Sequence, residues 1–327
     1  MTTRRYFVNL ISMAFAAVCV ASPQWAAAQS FPSKPIRLIV PFGPGGVADL
    51  TARTVAQKLA ESLGQPVLVE NRPGAGGVVA GEMVAKAEPD GHTLLLMSNG
   101  TAVSAGLFKS LPFDTLHDFA PVSTLGYFDI ALVTPADSKF KTLAELLAYA
   151  RANPGKLNLG SINIGSTQNL AAEFFKSSAG IDLQIVPFNG TPAVITALRG
   201  GQIDAAVEIL APVLPQINAK ALRALAVTGR QRAAVLPDVP TARESGMPNF
   251  VAASWNAVAA PAKTPKAVIA RLNKDIAAAL GSPEVKKKLA ELNVDAQACS
   301  PEQAAELLAS EVKRWGDVIV RARIPQQ

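Results

Sequence analysis

Cysteine and histidine are almost absent from this 327-residue sequence, which contains two of each. Cys19 lies in an N-terminal apolar segment that we expect to be removed, so Cys299 would remain without a cysteine partner in the chain. His92 and His117 lack the spacing of metal ligands or of a Cys–His pair, and no G-x-S-x-G motif is present. We therefore expect a protein that is not an enzyme and that holds no metal or cofactor.

Neither sign of charge dominates, because 31 lysines and arginines stand against 25 aspartates and glutamates. The formal charge of +6 falls by two, to +4, when Arg4 and Arg5 leave with the N-terminal segment. The basic residues are scattered apart from Lys286–Lys288, which has no interleaved aromatic residues and fits a solvated helix face. Nucleic acid is therefore not expected as a partner. A hydrophobic content of 49% suffices for one large domain or two of ordinary size.

The one long apolar run, about Leu10–Ala21, follows Arg4 and Arg5 and precedes the small residues Ala26–Ala28. This order is typical of an export signal, and we predict cleavage after Ala28. The run is shorter than the roughly 20 residues that span a bilayer. Paired arginines occur in twin-arginine signals and in ordinary Sec signals, so either route would take the mature chain to the periplasm.

The segment Ile36–Gly64 combines a buried strand, a glycine-rich loop and a helix. We predict a strand at Ile36–Val40, a loop at Pro41–Gly46 and a helix that Gly64 ends. The first N–H groups of such a helix have no intrahelical partner, and glycines let the loop backbone approach a ligand closely. The loop is therefore suited to binding an anion.

Two other interpretations of this loop remain open. Gly43, Gly45 and Ala48 fit the G-x-G-x-x-A form of a dinucleotide-binding fingerprint, with Glu70 at the end of the next strand. Against the dinucleotide interpretation, Pro44 removes an N–H from the turn that would hold a pyrophosphate. An exported protein would also not be expected to meet plentiful nicotinamide cofactors, which belong to the cytoplasm. The loop can also be a purely structural tight turn.

The same strand–loop–helix pattern recurs along the chain. Apolar strands lead into polar loops at Ser98–Thr101, Ser161–Gln168 and Asn189–Pro192, and a fifth instance follows the strand at Asp204–Glu208. Strands that alternate with helices predict an α/β fold with doubly wound parallel sheets, which bind ligands at the carboxyl ends of their strands. We expect the loops to converge on one small molecule in a cleft between two lobes.

Two segments mark where the chain would pass between these lobes. Pro121–Thr134 is strand-like, and Arg230–Phe250 is too rich in proline for regular structure. We predict a cleaved signal peptide at 1–28, the first part of lobe I at 29–133, lobe II at 134–250, and the return strand and C-terminal helices of lobe I at 251–327.

A further set of motifs extends through nearly the whole mature chain. They are Pro35–Phe42 with the Gly45-Gly46-x-x-Asp49 loop, Leu63–Val67, Glu70–Gly77, Pro89–Gly91 before an apolar strand, Leu222–Thr228, Leu236–Thr241, Glu244–Gly246 and Arg314-Trp315. With them the sequence resembles the Bug family, the periplasmic binding proteins of tripartite tricarboxylate transporters. The resemblance implies a two-lobed type II periplasmic binding fold that closes on a small carboxylate and delivers it to a membrane permease.

The resemblance also implies which loops hold the ligand, an organic, amino or aromatic acid bound through backbone amides, hydroxyls and bridging waters. The residues on these loops are Phe42, Gly46, Val47 and Asp49 in the first, Ser98, Asn99 and Thr101 in the second, Gly165, Ser166 and Thr167 in the third, Gly190 and Thr191 in the fourth, and Glu208 in the fifth.

The sequence departs from the family pattern at positions that bear on specificity. Val47-Ala48 stands where many members carry Ser or Thr, Glu208 where Asp is frequent, and Phe188–Gly190 where Tyr-Lys-Gly is more common. The first four loops contain no Lys or Arg, so neutral donors and helix N-termini would hold the carboxylate. These changes argue against a ligand with several carboxylates, such as citrate.

Two acidic residues and the partner protein have alternatives that the sequence leaves open. Asp49 can pair with Arg53 one helical turn later instead of contacting the ligand. Glu208 can orient a water, accept a hydrogen bond from a ligand hydroxyl or amine, or face solvent. We expect a monomer that serves either a permease or, as a ligand-presenting protein, a membrane sensor.

Overall fold

The computed structural model describes residues 31–321 and 323–327, so the predicted signal peptide lies outside the described residues. Lys34–Gln327 form one compact unit. Its strands are β1 (Ile36–Val40), β2 (Val67–Asn71), β3 (Thr93–Ser98), β4 (Phe119–Pro135), β5 (Asn158–Ile162), β6 (Gln184–Phe188), β7 (Ala205–Ile209), β8 (Leu222–Val227), β9 (Ala253–Pro261) and β10 (Val294–Asp295).

The helices between the strands fall where the apolar periodicity predicts them. They are α1 (Val47–Leu63), α2 (Val78–Ala85), α3 (Asn99–Leu107), α4 (Leu143–Ala152), α5 (Thr167–Ala179), α6 (Thr191–Arg199), α7 (Leu210–Asn218), α8 (Lys266–Gly281), α9 (Pro283–Glu291) and α10 (Pro301–Arg321). A short 3-10 turn at Ala75–Gly77 precedes α2. Within the described part of the chain, none of the helices has both the length and the apolar composition needed to cross a membrane.

The strands are hydrogen-bonded in the order β2-β1-β3-β9-β4-β7-β5-β6, with β8 and β10 also paired to β4. β1 is parallel to β2 and β3, and β5 is parallel to β6 and β7. β9 is antiparallel to β3 and β4, and β4 is antiparallel to β7 and β8. The predicted parallel sheets are therefore mixed, because β4 and β9, which carry the chain between the two sets of parallel strands, are antiparallel to their neighbours.

The long strand β4 belongs to two sheets. Its residues up to Asp129 pair with β9, and those from Ile130 pair with β7 and β8. We call the sheet of β1, β2, β3, β9, β10 and the first part of β4 sheet I, and the sheet of β5–β8 and the last part of β4 sheet II. The sequence predicted a crossing within Pro121–Thr134, and one 17-residue strand provides it. The exact lobe boundaries remain a prediction.

Helices cover both sheets with apolar side chains. On sheet I, Ile39, Leu95 and Trp255 pack in one cluster with Trp315 of α10. Sheet II has one core around Phe175 and Phe250 and a second, on its other side, around side chains of α6 and α7. Burying each large apolar side chain contributes about 1.5–3 kcal/mol, so these clusters supply most of the favourable free energy of folding.

The sequence predicts a capping box at Thr142 with Glu145, and Ser300 as a cap with Gln303 near the box position. The structure has both pairs, at α4 and α10, and Gly64 ends α1 in a left-handed conformation. The sequence also predicts Thr191 as the N-cap of α6 with Pro192 as the first helical residue, and this was wrong by one residue: Gly190 is the N-cap and Thr191 the first helical residue. The cap has a φ of 108°, which favours glycine over threonine.

Thr228 forms hydrogen bonds with both segments that connect the sheets, which are β4 and the segment that leads into β9. Its N–H donates to the Ile130 carbonyl in β4 at 2.8 Å, and its carbonyl accepts from Ala252, just before β9, at 2.9 Å. Its Oγ1 lies 3.1 Å from the Ile130 oxygen and also contacts the Ala252 oxygen. Because Thr228 is fully buried, water does not compete for these hydrogen bonds.

We expect Thr228→Val to lower the free energy of unfolding by about 1 kcal/mol, since it removes the hydroxyl and keeps the shape of the side chain. Thr134→Val is the matched control: Thr134 is equally buried, but none of the described residues bonds to its Oγ1. This second change should lower the free energy by less than about 0.5 kcal/mol, or raise it. Chemical denaturation of both variants measures the difference, and equal losses would contradict the assigned role of Thr228.

Candidate functional site

Asp49 fixes the shape of the first loop. Its buried carboxylate accepts hydrogen bonds from the Gly45 N–H at 2.9 Å and from Asn71 Nδ2 at 2.9 Å. Arg53 Nε donates to it at 3.0 Å, which confirms the predicted pair. Burial is the largest influence on the pKa of Asp49 and raises it, but Arg53, Gly45 and Asn71 together hold that pKa below its usual value. The carboxylate is thus engaged in shaping the loop, and direct contact with a ligand stays a prediction.

The N-terminus of α1 carries no side-chain cap. The N-cap is Gly46, with extended backbone angles of φ −80° and ψ 167°, and no side chain of the described residues caps the helix there. The Gly46 carbonyl accepts from Leu50, four residues later. The N–H groups of Val47 and Ala48 therefore have no partner within the helix, and they lie at the positive end of its dipole.

The second loop uses its polar side chains to start α3. Ser98 Oγ accepts from the Gly100 N–H at 3.1 Å, and Thr101 Oγ1 accepts from the Ser98 N–H at 3.3 Å. Asn99 Nδ2 donates to the Ala253 carbonyl of β9 at 2.7 Å. The fully buried Asn99 Oδ1 has no hydrogen-bond partner among the described residues. Ser98 and Thr101 are therefore helix caps, whereas Asn99 retains a buried acceptor.

The third loop is capped in a similar way. Ser166 Oγ accepts from the Asn169 N–H at 3.1 Å and lies 3.2 Å from the Ile162 carbonyl, to which it donates. Thr167 follows as the first residue of α5 and is buried. The sequence correctly pointed to Ser166 at a helix start, and the structure shows that its hydroxyl is engaged by the backbone.

Close contacts join the first loop to the second, and the third loop to the end of α3 and the Gly76 turn. A Cβ atom built on Gly100 would lie 3.7 Å from Phe42 Cζ, so the first and second loops are adjacent. A Cβ atom on Gly165 would lie only 2.9 Å from Leu107 Cδ2 and 3.9 Å from the Gly76 Cα. Gly165 has a φ of 82°, and its missing side chain permits this close approach of a sheet II loop to the sheet I side.

The turn at Gly76 belongs to this group of loops but was absent from the predicted site residues. Ser104 Oγ, on α3, lies 2.8 Å from the Gly76 carbonyl and donates a hydrogen bond to it. A Cβ atom on Gly77 would lie 3.2 Å from Pro41 Cβ in the first loop. The glycine-rich stretch before α2 was the available sequence signal, but from the sequence alone it indicated a turn and not a contact with the other loops.

Glu208 connects the third and fourth loops. Its Oε2 accepts from Thr191 Oγ1 at 2.9 Å and from Gln168 Nε2 at 3.4 Å. Thr191 begins α6, and Gln168, which the predicted set omitted, lies in the first turn of α5. Glu208 is fully buried, so the prediction that it could face solvent was wrong, and its Oε1 has no hydrogen-bond partner among the described residues.

Burial is the main influence on the Glu208 carboxyl, and it raises the pKa from 4.5 to about 7 against the opposing hydrogen bonds of Thr191, Gln168 and the Ile209 backbone N–H. The first and second loops are thus in direct contact, the Gly76 turn and the end of α3 contact the third loop, and Glu208 joins the third loop to the fourth. The arrangement offers N–H donors at α1 that have neither a partner within the helix nor a side-chain cap among the described residues, and a buried carboxyl acceptor at the end of β7.

The raised pKa of Glu208 should make the protein less stable at high pH. The folded state binds more protons than the unfolded state between pH 4.5 and about 7, so stability falls as the pH rises through this range. Glu208→Gln removes the titration, and we expect it to gain about 2–3 kcal/mol relative to the wild type between pH 5 and pH 8. Denaturant melts across this range measure the effect, and parallel pH profiles of both proteins would contradict it.

Residues 51–324 match the model of a family described as the tripartite tricarboxylate transporter family receptor. The chain is also 38% identical over 312 residues to Protein BugT of Bordetella pertussis, an alignment that covers 95% of each protein.

Three solved structures resemble the fold closely. R. palustris Rpa4515 with adipate has a TM-score of 0.84 and 32% identity, covering 90% of this chain and 99% of that one. The periplasmic binding protein BugD has a TM-score of 0.83 and 30% identity, covering 91% and 100%. MatC (Rpa3494) from Rhodopseudomonas palustris with bound malate has a TM-score of 0.81 and 33% identity, covering 88% and 100%.

These matches confirm the predicted α/β class and the two-lobed periplasmic binding fold. The family is described as a receptor, and BugD as a periplasmic binding protein. The chain therefore belongs to the tripartite tricarboxylate transporter receptor family, as the Bug-like motifs predicted.

Proposed function

We propose that this chain is exported to the periplasm, captures a small carboxylate between sheet I and sheet II, and delivers it to a membrane permease. The observation that carries the proposal is the N-terminus of α1, which has no side-chain cap and follows a loop in contact with the second loop and the Gly76 turn. Relatives of the same fold that hold adipate and malate support a carboxylate ligand.

Backbone donors provide enough binding energy without a positively charged side chain. A hydrogen bond to a charged group contributes about 1.5–3 kcal/mol, and a helix N-terminus adds about 0.3–1 kcal/mol. Three or four such contacts reach the roughly 8 kcal/mol of micromolar binding before ordering costs are subtracted. The absence of Lys and Arg from the first four loops is therefore compatible with a carboxylate ligand.

In this proposal the predicted site residues have two different tasks. The N–H groups of Val47 and Ala48 hold the carboxylate, beside a wall formed by Phe42. Ser98, Thr101 and Ser166 cap their helices and so fix the backbone around the ligand. Asp49 keeps the first loop in the shape that leaves these donors free.

Isothermal titration of the purified mature protein with adipate and malate at pH 6, below the raised pKa of about 7 of Glu208, tests ligand capture. We expect micromolar affinity for at least one of these acids and no measurable binding of the corresponding diamides, which lack the anionic oxygens that helix N-termini favour. Equal binding of acids and diamides would contradict an anion site. Uptake of the bound acid by cells with and without the gene tests delivery to a permease.

Gly46→Asp places an acceptor and a negative charge at the N-cap of α1. The backbone angles suit any residue, and a Cβ atom there would meet nothing within 4 Å. The aspartate would cap the N–H groups that we assign to the ligand, so affinity should fall at least tenfold. The free energy of unfolding should stay within a few tenths of a kcal/mol of the wild type, or rise.

Gly46→Ala is the matched control, because it fills the same space without an acceptor. We expect its affinity to remain within about threefold of the wild type, a change of less than 1 kcal/mol. Titration calorimetry and thermal denaturation of both variants provide the two readouts. Equal affinities of the Asp and Ala variants would place the ligand away from α1.

A further inference from the structure

Glu208 lies at the edge of sheet II where the loops start their helices. It is the last residue but one of β7, and β7 is parallel to β5, so their carboxyl ends open at the same edge. Hydrogen bonds from Thr191 and Gln168, in the first turns of α6 and α5, place its carboxyl group among the helix starts. The carboxyl therefore lies on the side of the sheet that the proposed function assigns to the ligand.

One oxygen of this carboxyl remains available. Oε2 accepts the hydrogen bonds of Thr191 and Gln168, and the Ile209 backbone N–H also stabilises the charged carboxyl. Oε1 is buried, and none of the described residues places a donor within hydrogen-bond geometry of it. A buried acceptor without a donor is unfavourable, and a ligand that donates a hydrogen bond to it removes that penalty. A hydroxyl or an ammonium group would do so, whereas a methyl group would not.

No positive charge compensates the carboxylate form of Glu208. The titratable side chains on the elements packed against β7 are Tyr127 and Asp129 on β4, Glu173 and Lys176 on α5, and Arg199 on α6. The pKa of Glu208 is set by burial and by neutral hydrogen-bond donors, and none of these five residues contributes to it. An ionised Glu208 would therefore repel a second carboxylate, and a protonated Glu208 could donate a hydrogen bond to one.

Asn99 presents a similar acceptor on the sheet I side. Its Nδ2 donates to the Ala253 carbonyl, which orients Oδ1 away from that contact, and Oδ1 is buried without a partner among the described residues. Asn99 on α3 and Glu208 on β7 thus each carry a buried acceptor without a donor among the described residues, which favours a ligand that carries hydrogen-bond donors in addition to its carboxylate.

We propose, on the basis of the proposed function, that Glu208 selects the end of the ligand that points away from the bound carboxylate. Ionised Glu208 selects carboxylates whose other end carries a hydroxyl or ammonium group. Protonated Glu208 also accepts dicarboxylates. Glu208 is thus a specificity residue that makes the preferred ligand class depend on pH.

Four six-carbon acids that differ only at the far end test this inference: hexanoate, 6-hydroxyhexanoate, 6-aminohexanoate and adipate. Each is titrated calorimetrically into the mature protein at pH 6 and at pH 8. At pH 8 we expect the hydroxy and amino acids to bind at least tenfold more tightly than hexanoate and adipate. Adipate should gain about tenfold from pH 8 to pH 6, because the protonated fraction of a group with a pKa of about 7 rises by that factor.

Glu208→Gln keeps the shape of the side chain but cannot ionise, and its amide donates at both pH values. We expect adipate to bind this variant at least tenfold more tightly than the wild type at pH 8, with no pH dependence. The preference for 6-aminohexanoate should disappear. Glu173→Gln is the control, because burial also raises the pKa of Glu173 but its carboxyl has no part in the proposed site; this variant should behave as the wild type does.

The outcomes separate the two proposals. If none of the four acids binds at either pH, the proposed function fails and the role of Glu208 fails with it. If the acids bind but Glu208→Gln keeps the selectivity and pH dependence of the wild type, carboxylate capture stands and the inference about Glu208 is overturned.

Discussion

The hydrogen bonds of Asp49 are the interaction on which the proposed site depends most. A loop with three glycines between Pro41 and Val47 has many accessible conformations, and Asp49 restricts them by accepting from Gly45, Asn71 and Arg53. These partners hold the pKa of Asp49 below its usual value, so the carboxylate stays ionised at neutral pH. The result is a helix N-terminus whose position is fixed but whose first N–H groups remain available.

The helix N-termini around the proposed site differ in whether a side chain caps them. Ser98 and Ser166 cap α3 and α5 with their own hydroxyls, whereas α1 begins at a glycine without a side-chain cap. A capped helix end is rigid but has fewer free donors, and an uncapped end attracts an anion more strongly. In the proposed function this contrast directs the carboxylate to α1, while the other helix starts shape the space around it.

Glu208, which is fully buried, affects both the structure of the loops and, in the proposed mechanism, the choice of ligand. Its carboxyl connects the third and fourth loops through Gln168 and Thr191, so it contributes to the architecture and, in the proposed mechanism, to ligand choice. The longer side chain of Glu, compared with the Asp that the family often has at this position, extends the carboxyl further from β7. Thr228 and β4 meanwhile hold the two sheets together, which keeps the loops of sheet II within contact of Gly76 and Leu107.

The local pattern of the sequence by itself determined the strand–loop–helix units, the caps at Thr142 and Ser300, and the Asp49–Arg53 pair, because each depends on residues within a few positions of one another. Only the tertiary structure decided that β4 and β9 are antiparallel in their sheets, that Gly76 and Gln168 join the group of loops, and that Glu208 is fully buried. These features depend on contacts between residues far apart in the chain, whose burial and pairing no local periodicity encodes.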